Sequence, residues 1–224
     1  RREEKNIQPG SDEHLEQLKH RSLSQLGQDI WVLERTNFKK NGFFVEFGAT
    51  DGVLLSNTYL LEKEFDWKGI CAEPNPKFFE KLQQNRSCKV SNACIARESG
   101  AEVEFIFADE YGGMSKYASS DGHADKRAAF LGTSGSTKLK TISLDEFLEQ
   151  NKAPKSIDYM SIDTEGSELE ILQGFSFDKW NVKIFSVEHN YTASRDLIFE
   201  LLSRHGYERV EFQWDDIYYR LISN

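Results

Sequence analysis

The sequence predicts an α/β domain built on a largely parallel sheet. Two observations carry that prediction. Short apolar runs of strand length alternate along the chain with segments of helical periodicity, the signature of strand–helix–strand units. Five of those runs also end on glycine or polar residues, at Gly48–Gly52, Glu73–Asn75, Asn92, Asp163–Gly166 and Glu188–Asn190. Ligands of open parallel sheets bind beyond the carboxyl ends of the strands, so five such ends predict a site together with the fold. Length and composition agree: 224 residues suit one domain, and 16 Phe, 8 Tyr and 4 Trp in a 38% apolar chain can fill its core. A globally disordered chain is excluded.

The elements follow in order. Residues 1–10 are polar and read as frayed. Helical periodicity starts near Ser11, with Leu15, Leu18, Leu23 and Leu26 as its stripe, and Gly27 interrupts it. A second short helix covers Asp29 to Thr36. Phe43 to Gly48 is an apolar strand buried on both faces. Asn57 to Phe65 reads as a helix, Gly69 to Ala72 as a strand, and Pro76 to Gln84 as a helix opened by Asn75 and Pro76. Weak strands near Lys89–Ser91 and Cys94–Ala96 precede a clear β run from Val103 to Ala108. Glu110 to Ser136, rich in Gly and Ser, breaks the rhythm and reads as a functional loop or insert, with room for a short helix at Ala124–Phe130. Thr137–Ile142 is a strand, and Ser143-Leu144-Asp145-Glu146 fits a capping box opening a helix to Gln150. Strand Ile157–Ile162, helix Ser167–Leu172, strand Val182–Val187 and helix Ser194–Arg204, stopped at His205-Gly206, complete the alternation. Glu208–Phe212 and Ile217–Ile222 then close as a hairpin that adds one antiparallel strand at the sheet edge. The expected organisation is an N-terminal helical segment, residues 1–40, packing on a core domain of residues 41–224 with a loop insertion at about 110–136.

Charge and cysteine usage narrow the partners. The balance of 28 basic against 37 acidic residues leaves a net −9, which argues against nucleic acid held by broad phosphate neutralisation. No apolar run reaches transmembrane length. Cys71, Cys88 and Cys94 match no zinc pattern. They read as reduced thiols, two of them core fillers, so the expected location is cytoplasmic. The first residue is Arg rather than Met, which leaves open a larger multifunctional parent chain.

The strand ends supply the chemistry. Val45 to Gly52 combines an acid within the strand, Glu46, with two glycines, Gly48 and Gly52, separated by three residues. This is not G-x-G-x-x-G, and it argues against a nicotinamide-dependent oxidoreductase. Gly48 suits a positive φ or a close backbone approach, although an ordinary strand-to-helix turn looks similar. Glu73 stands 25 residues after Gly48, where an acid can accept hydrogen bonds from both hydroxyls of a ribose. It equally suits the positive end of the following helix.

In a set of ordered motifs the chain resembles the FkbM family of S-adenosylmethionine-dependent methyltransferases. The motifs are Ser24-Gln25-Leu26-Gly27-Gln28-Asp29, Phe44 to Gly52, Ser56 to Glu62, Trp67 to Asn75, Ile162-Asp163-Thr164-Glu165-Gly166-Ser167-Glu168 and Val187-Glu188-His189-Asn190. The resemblance implies a class I methyltransferase fold, Rossmann-like, with helices on both faces of a seven-stranded, mostly parallel sheet whose last strand is antiparallel. It also implies an O-methyltransferase acting on a hydroxyl of a sugar, a glycan or a polyketide-type product. Methyltransfer to another small-molecule, lipid or protein acceptor is an alternative, as is a non-catalytic module that binds a glycan or a partner.

Carried over by resemblance, Glu46, Gly48, Ala49, Thr50, Asp51 and Gly52 hold the methionine end of the cofactor and Glu73 its ribose. Pro74 and Asn75 flank the adenosine, Asn92 (with Ala93) lies near the adenine, and Asp163 faces the sulfonium. Asp163, Glu165, Glu188 and His189 project from neighbouring strand ends. One of the carboxylates or His189 takes the acceptor proton, or the four hold Mg²⁺ or Mn²⁺. Glu165 and Glu168 also suit a helix first turn, the preferred reading for Glu168. Gln28 and Asp29 close over the site or cap a helix, and Asn57 is a cap or a polar group of the site. Tyr111, Met114, Lys116, Tyr117 and His123 of the insertion are candidates to contact a sugar. Trp31, Trp67, Trp180 and Trp214 read as packing.

Overall fold

The computed structural model describes residues 8–107, 113–114 and 136–220. Helices α1 (Asp12–Arg21) and α2 (Gln28–Arg35) precede strand β1 (Phe43–Phe47), followed by α3 (Tyr59–Phe65), β2 (Lys68–Ala72), α4 (Pro76–Asn85) and β3 (Lys89–Ser91). Strands β4 (Cys94–Ala96), β5 (Glu102–Ile106), β6 (Gly113–Met114) and β7 (Ser136–Ser143) lead to α5 (Leu144–Gln150). Then come β8 (Ser156–Ile162), α6 (Glu168–Gln173), β9 (Asn181–Glu188), α7 (Ser194–Arg204), β10 (Glu208–Glu211) and β11 (Asp215–Tyr219).

Among the described residues the main sheet has 7 strands in the order β10-β11-β9-β8-β1-β2-β3. β1 pairs in parallel with β2 and β8, and β8 with β9. The order reverses beside β1, so the crevice above β1 and β8 is the topological switch where a doubly wound sheet binds its ligand. This is the class I architecture that the resemblance implied, with its last strand antiparallel; the edge position expected for the closing hairpin's antiparallel strand is corrected. The antiparallel strand β11 lies inside the sheet, between β9 and the edge strand β10, rather than at its edge. A second amendment concerns the weak strands. β4, β5, β6 and β7 leave the main sheet and form their own, in the order β4-β7-β5-β6. The five-pair antiparallel ladder between β5 and β7 holds it together. Tyr111, Lys116, Tyr117, His123, the side chain of Met114 and the helix expected at 124–130 lie outside the described residues.

Alternate residues of the central strands feed two cores. Val45, Phe47, Met160, Ile162, Phe185 and Val187 meet α5, α6 and α7 through Phe147, Leu148, Ile171, Leu172, Ile198 and Leu202. Phe44, Tyr159, Ile184 and Ile217 meet the other layer through Leu18, Leu33, Leu60, Leu61 and Leu82. Both faces are therefore covered, as a parallel sheet requires. The N-terminal helices contribute directly, since Leu18, Val32 and Leu33 are fully buried.

Two helices begin or end away from where periodicity alone places them, each because side chains form other bonds. The expected stripe ran to Leu26, but α1 stops at Arg21. Ser22 turns extended and its Oγ donates to both carboxylate oxygens of Asp29, at 2.7 and 2.8 Å. The helix expected from Asn57 begins at Tyr59, because Ser56, Asn57 and Thr58 are bound to the buried carboxylate of Glu46. The Asn57 N–H donates to Oε1 at 2.8 Å, and the Thr58 and Ser56 hydroxyls donate to Oε2 at 2.6 and 3.0 Å.

Arg86 completes that cluster. Its guanidinium is fully buried, 3.3 Å from Glu46 and 2.7 Å from Glu62. It also donates to the Gly52 carbonyl, Ser56 Oγ and Thr58 Oγ1. Gly52 lies against it at φ 81°, and a Cβ there would come within 2.6 Å of Arg86 Cγ. Breaking a buried pair by removing one partner costs about 3–5 kcal/mol, because the other charge is left uncompensated. Arg86→Met is therefore expected to lower the unfolding free energy by about 3–5 kcal/mol in urea titrations. A loss below about 1 kcal/mol, the range of an exposed pair, would show that the cluster does not carry this load.

Candidate active site

Two connected cavities open at the carboxyl ends of β1, β2 and β8. The larger, of about 270 Å³, is lined by Glu46, Gly48, Thr50, Asn57, Glu73, Asn75, Asp163, Glu165 and Glu188 of the expected set. The smaller continues between Phe47, Ala72, Pro74, Ala93, Ile95 and Phe105. Glu73, Gly48, Asp163, Phe47 and Phe105 belong to both, so a ligand spanning them would pass Glu73 at the junction. The smaller cavity has the apolar walls that a flat heterocycle needs.

The turn after β1 is shaped by contact rather than by convention. Gly48 has φ 70°, and a Cβ on it would sit 1.7 Å from the Asp163 carbonyl oxygen. The ends of β1 and β8 thus cross at a distance only glycine allows. Ala49 donates to the Ala72 carbonyl, which ties the turn to β2. Asp51 caps the next turn by accepting from the N–H groups of Val53 and Leu54. Ala49, Asp51 and Gly52 thus shape the loop and are not among the residues lining either cavity.

Glu73 is buried, and its two oxygens accept from Thr50 N–H at 3.0 Å and Asn75 N–H at 2.8 Å. Burial pushes its pKa up to about 7, against the pull of those two bonds. Asn75 caps α4 through Lys77 N–H. Asn92, expected near the adenine, is exposed and lines neither cavity; Ala93 does. The chain crosses from β3 to β4 here, and the inward position falls to the alanine.

The carboxyl groups of Asp163, Glu165 and Glu188 offer oxygens within 4.8 Å of one another. Glu165 reaches the cluster from a turn held at φ 56°. Burial, then the charge of Asp215, raises Asp163 to about 8. Burial, then the charges of Asp163 and Glu165, pushes Glu188 well above its ordinary range. Glu188 Oε1 accepts from Asn190 at 2.6 Å, while its Oε2 is buried with no hydrogen-bond partner. Glu168 stands apart, as expected. It accepts from the N–H groups of Thr164 and Gly166 and so holds the turn that presents Asp163 and Glu165.

His189 does not join this cluster, which corrects its expected place as base or ligand. Adjacent residues of a strand face opposite sides, and Glu188 already takes the inner one. The His189 imidazole turns to Asp216, 3.5 Å away, and its Nδ1 accepts from Tyr191 N–H. Asp29 is likewise internal, bound to Ser22 and Ile30 N–H and raised by burial to about 6. Gln28 donates to Asp215 at 2.6 Å and binds Ser24, whose hydroxyl also reaches Asn57. Asn57 in turn donates to Ser161 on β8. Through Ser24, Gln28 joins Asn57 and Ser161 in one polar seam, of which Asn57 and Ser161 line the cavity.

The sequence reading missed Arg86, Ser161, Phe105 and Trp214. Ser161 left a signal, a polar residue inside an apolar strand. Trp214, read as packing, is 42% exposed and lines the larger cavity. Its carbonyl accepts from His189 and Asn190 N–H, which pins it beside Glu188. An exposed aromatic in a hairpin turn was the available signal.

A family model described as "Methyltransferase FkbM domain" matches residues 46–209. The hexuronic acid methyltransferase AglP of Haloferax volcanii is 29% identical over 135 residues, covering 58% of this chain and 51% of that protein. The chain thus spans about half the length of that curated relative. Among solved structures, a precorrin-6y C5,15-methyltransferase from Geobacter metallireducens GS-15 covers 86% of this chain and 88% of its own. Its TM-score is 0.48 and its identity 10%. The N-terminal domain of human METTL16 covers 85% and 67%, at TM-score 0.47 and 14% identity.

The raised acids set a pH dependence. Asp29, Glu73 and Asp163, at about 6, 7 and 8, titrate near 4 in an unfolded chain. The folded state therefore holds more protons across that window. The stability they lend is complete below the unfolded values and lost as pH rises through 6 to 8. Glu62, Asp158 and Asp216, whose pKa values are lowered, act in the opposite sense only in more acidic solution. The ligand-free protein should melt at a higher temperature at about pH 5.5 than at about pH 8.5. A midpoint that is flat or rises with pH across that window would mean these carboxyls are ionised in the fold.

Proposed function

We propose a function from the premise that this chain belongs to the FkbM methyltransferase family: it is an S-adenosylmethionine-dependent O-methyltransferase acting on a hydroxyl of a sugar or glycan. The observation that carries the reading is the Asp163–Glu188 pair, two carboxyls gathered with Glu165 within 4.8 Å and raised above their ordinary range by burial, in the cavity that Glu73 also enters. Trp214 at the cavity wall supports a sugar acceptor, since an exposed indole can cover the C–H face of a pyranose. AglP, named for hexuronic acid, points the same way.

The residues present fit the cofactor. Glu73 would accept from the ribose hydroxyls, Phe47, Ala93, Ile95 and Phe105 would enclose the adenine, and the Gly48 turn with Asp163 would hold the methionine end. When bound, S-adenosylmethionine supplies a methyl group already activated by its sulfonium. The protein then has two tasks. It must hold the acceptor oxygen in line, and it must remove a proton from a weakly acidic hydroxyl. A carboxyl whose pKa lies near the working pH combines basicity with availability, as general base catalysis requires. Glu188 is placed for this, because its Oε2 is aimed at no protein donor. Asp163 and Glu165 set its charge state.

That same buried oxygen favours a second reading of the cluster. Three carboxylates with only oxygen donors suit Mg²⁺ or Mn²⁺, and a cation there would lower the pKa of the acceptor hydroxyl directly. Asp163, Glu165 and Glu188 would hold it. Methyl transfer that survives exhaustive chelation assigns the cluster to proton transfer, and loss restored by Mn²⁺ assigns it to the metal.

Calorimetric titration with S-adenosylhomocysteine tests the core of the proposal. Saturable binding by the parent chain, weakened at least about tenfold in Glu73→Ala, is the expected result; losing hydrogen bonds to a charged group costs that much or more. No binding by the folded parent would favour the non-catalytic module. Against a panel of sugar acceptors, Glu188→Gln should lower kcat by about 10²–10⁴ while leaving the affinity for S-adenosylhomocysteine within a factor of about two. Transfer only to lipid or protein acceptors would overturn the sugar assignment and leave the methyltransferase standing.

A further inference from the structure

A third cavity, of about 440 Å³, lies at the opposite end of the sheet, below the amino ends of β8 and β9. Four cationic side chains line it, Arg35, Lys39, Lys183 and Arg220, and one acid, Asp158. In a chain of net −9 this is a local excess of positive charge, which Asp158 answers only in part among the described residues. Asp158 is saturated. Its two oxygens accept from Lys39 Nζ at 2.8 Å each, from Lys183 Nζ at 2.7 Å and from Phe43 N–H at 3.0 Å. A carboxylate has about four lone-pair sites, so no acceptor remains for the arginines.

Neither guanidinium is paired with an acid among the described residues. Each is held instead by an aromatic ring. Arg35 Cζ lies 4.2 Å from the Tyr219 ring centroid, and Arg220 Cζ lies 4.3 Å from that of Tyr207. Arg220 Nε is buried with no hydrogen-bond partner. Two positioned guanidinium forks beside two fixed ammonium groups present the donor set that phosphate oxygens match. The remaining wall includes Ile184 and the Tyr219 ring, and the volume falls in the range of small-molecule sites.

We propose that this basal cavity is a second ligand site, which takes a phosphate or diphosphate ester through Arg35 and Arg220 and rests its organic part on Tyr219 and Ile184. It is separate from the cofactor cavity and does not depend on the methyltransferase reading. Lys39 and Lys183 lend charge but stay tied to Asp158, whose lowered pKa follows from those two bonds overcoming its burial.

The test uses inorganic pyrophosphate, inorganic phosphate and glucose 1-phosphate, titrated calorimetrically into the wild-type chain and into R35Q/R220Q at low ionic strength. The proposal expects saturable pyrophosphate binding that weakens at least about tenfold in the double variant and falls with added salt. Affinity for S-adenosylhomocysteine and the melting temperature should stay unchanged. Glucose 1-phosphate should bind more tightly than inorganic phosphate. Amide chemical-shift mapping of the wild type supplies a readout independent of the variant, with the largest pyrophosphate shifts expected at residues 35–39, 183–184 and 219–220. Absence of saturable binding, equal binding by the variant, or shifts confined to residues 46–57 would overturn the site. Equal affinity for phosphate and its glucose ester would overturn the organic subsite and leave an anion site alone.

Discussion

The buried Arg86 guanidinium is the interaction on which the cofactor side of the molecule rests. It joins β1 through Glu46, α3 through Glu62 and the intervening loop through Gly52, Ser56 and Thr58. Without it, the Glu46 carboxylate would be a buried charge held only by neutral donors, at a cost of several kcal/mol. With it, residues 52–58 have a fixed path although few of them are regular. That path sets the near wall of the larger cavity, where Leu54, Leu55, Ser56 and Asn57 stand. A loop here is positioned by charge rather than by secondary structure.

The buried acids then divide by whether a cation answers them. Glu46 meets Arg86, Asp158 meets Lys39 and Lys183, and Asp216 meets Arg195 at 2.8 and 2.9 Å. These ties hold elements together. Glu73, Asp163 and Glu188 have no cation beside them among the described residues, and desolvation raises their pKa values. Leaving a carboxyl in that state is unfavourable for the ligand-free fold, and nothing in the packing requires it. Their common feature is that all three border the same cavity. Asp29 and Glu168 are also buried without a cation among the described residues, but donors from Ser22, Ile30, Thr164 and Gly166 answer them, so it is the shared cavity that sets Glu73, Asp163 and Glu188 apart.

Much of the fold was legible because it rests on local periodicity. β3, β4 and α7 occupy the residues that the pattern predicts, and Ser143 caps α5 through Glu146 N–H as the capping-box motif implies. The division of strands between two sheets was not legible, since β4 and β7 pair across more than forty residues and only tertiary contact decides it. The site shows the same split. Glu73, Gly48 and Asp163 follow strand ends and are visible as such. His189 follows a strand end too, yet the pleat turns it away, and a one-residue parity is finer than the sequence pattern fixes. Arg86 lies at the end of α4, where a surface cation is the ordinary expectation. Its burial depends on Glu46 and Glu62, which lie 40 and 24 residues away in the chain.

The N-terminal segment is tied to the site more closely than its place before the family match suggests. The matched region begins at residue 46, yet Ser24 reaches Asn57, and Gln28 reaches Asp215 across 187 residues. Asn57 continues to Ser161 on β8, two residues before Asp163. Gln25 itself lines the larger cavity. The backbone N–H of Asn57 meanwhile binds Glu46 and so belongs to the Arg86 cluster. One residue therefore connects the N-terminal segment, the loop after β1 and the strand that carries the acid pair. The segment before residue 40 closes the back of the cavity and fills the core through Leu18 and Leu33. Its removal would strip partners from Asn57 and Asp215, both buried, and a buried polar group left unpaired costs about 1–3 kcal/mol. These bonds, with Leu18 in the core, make the chain ahead of the first strand part of the wall that shapes the cavity.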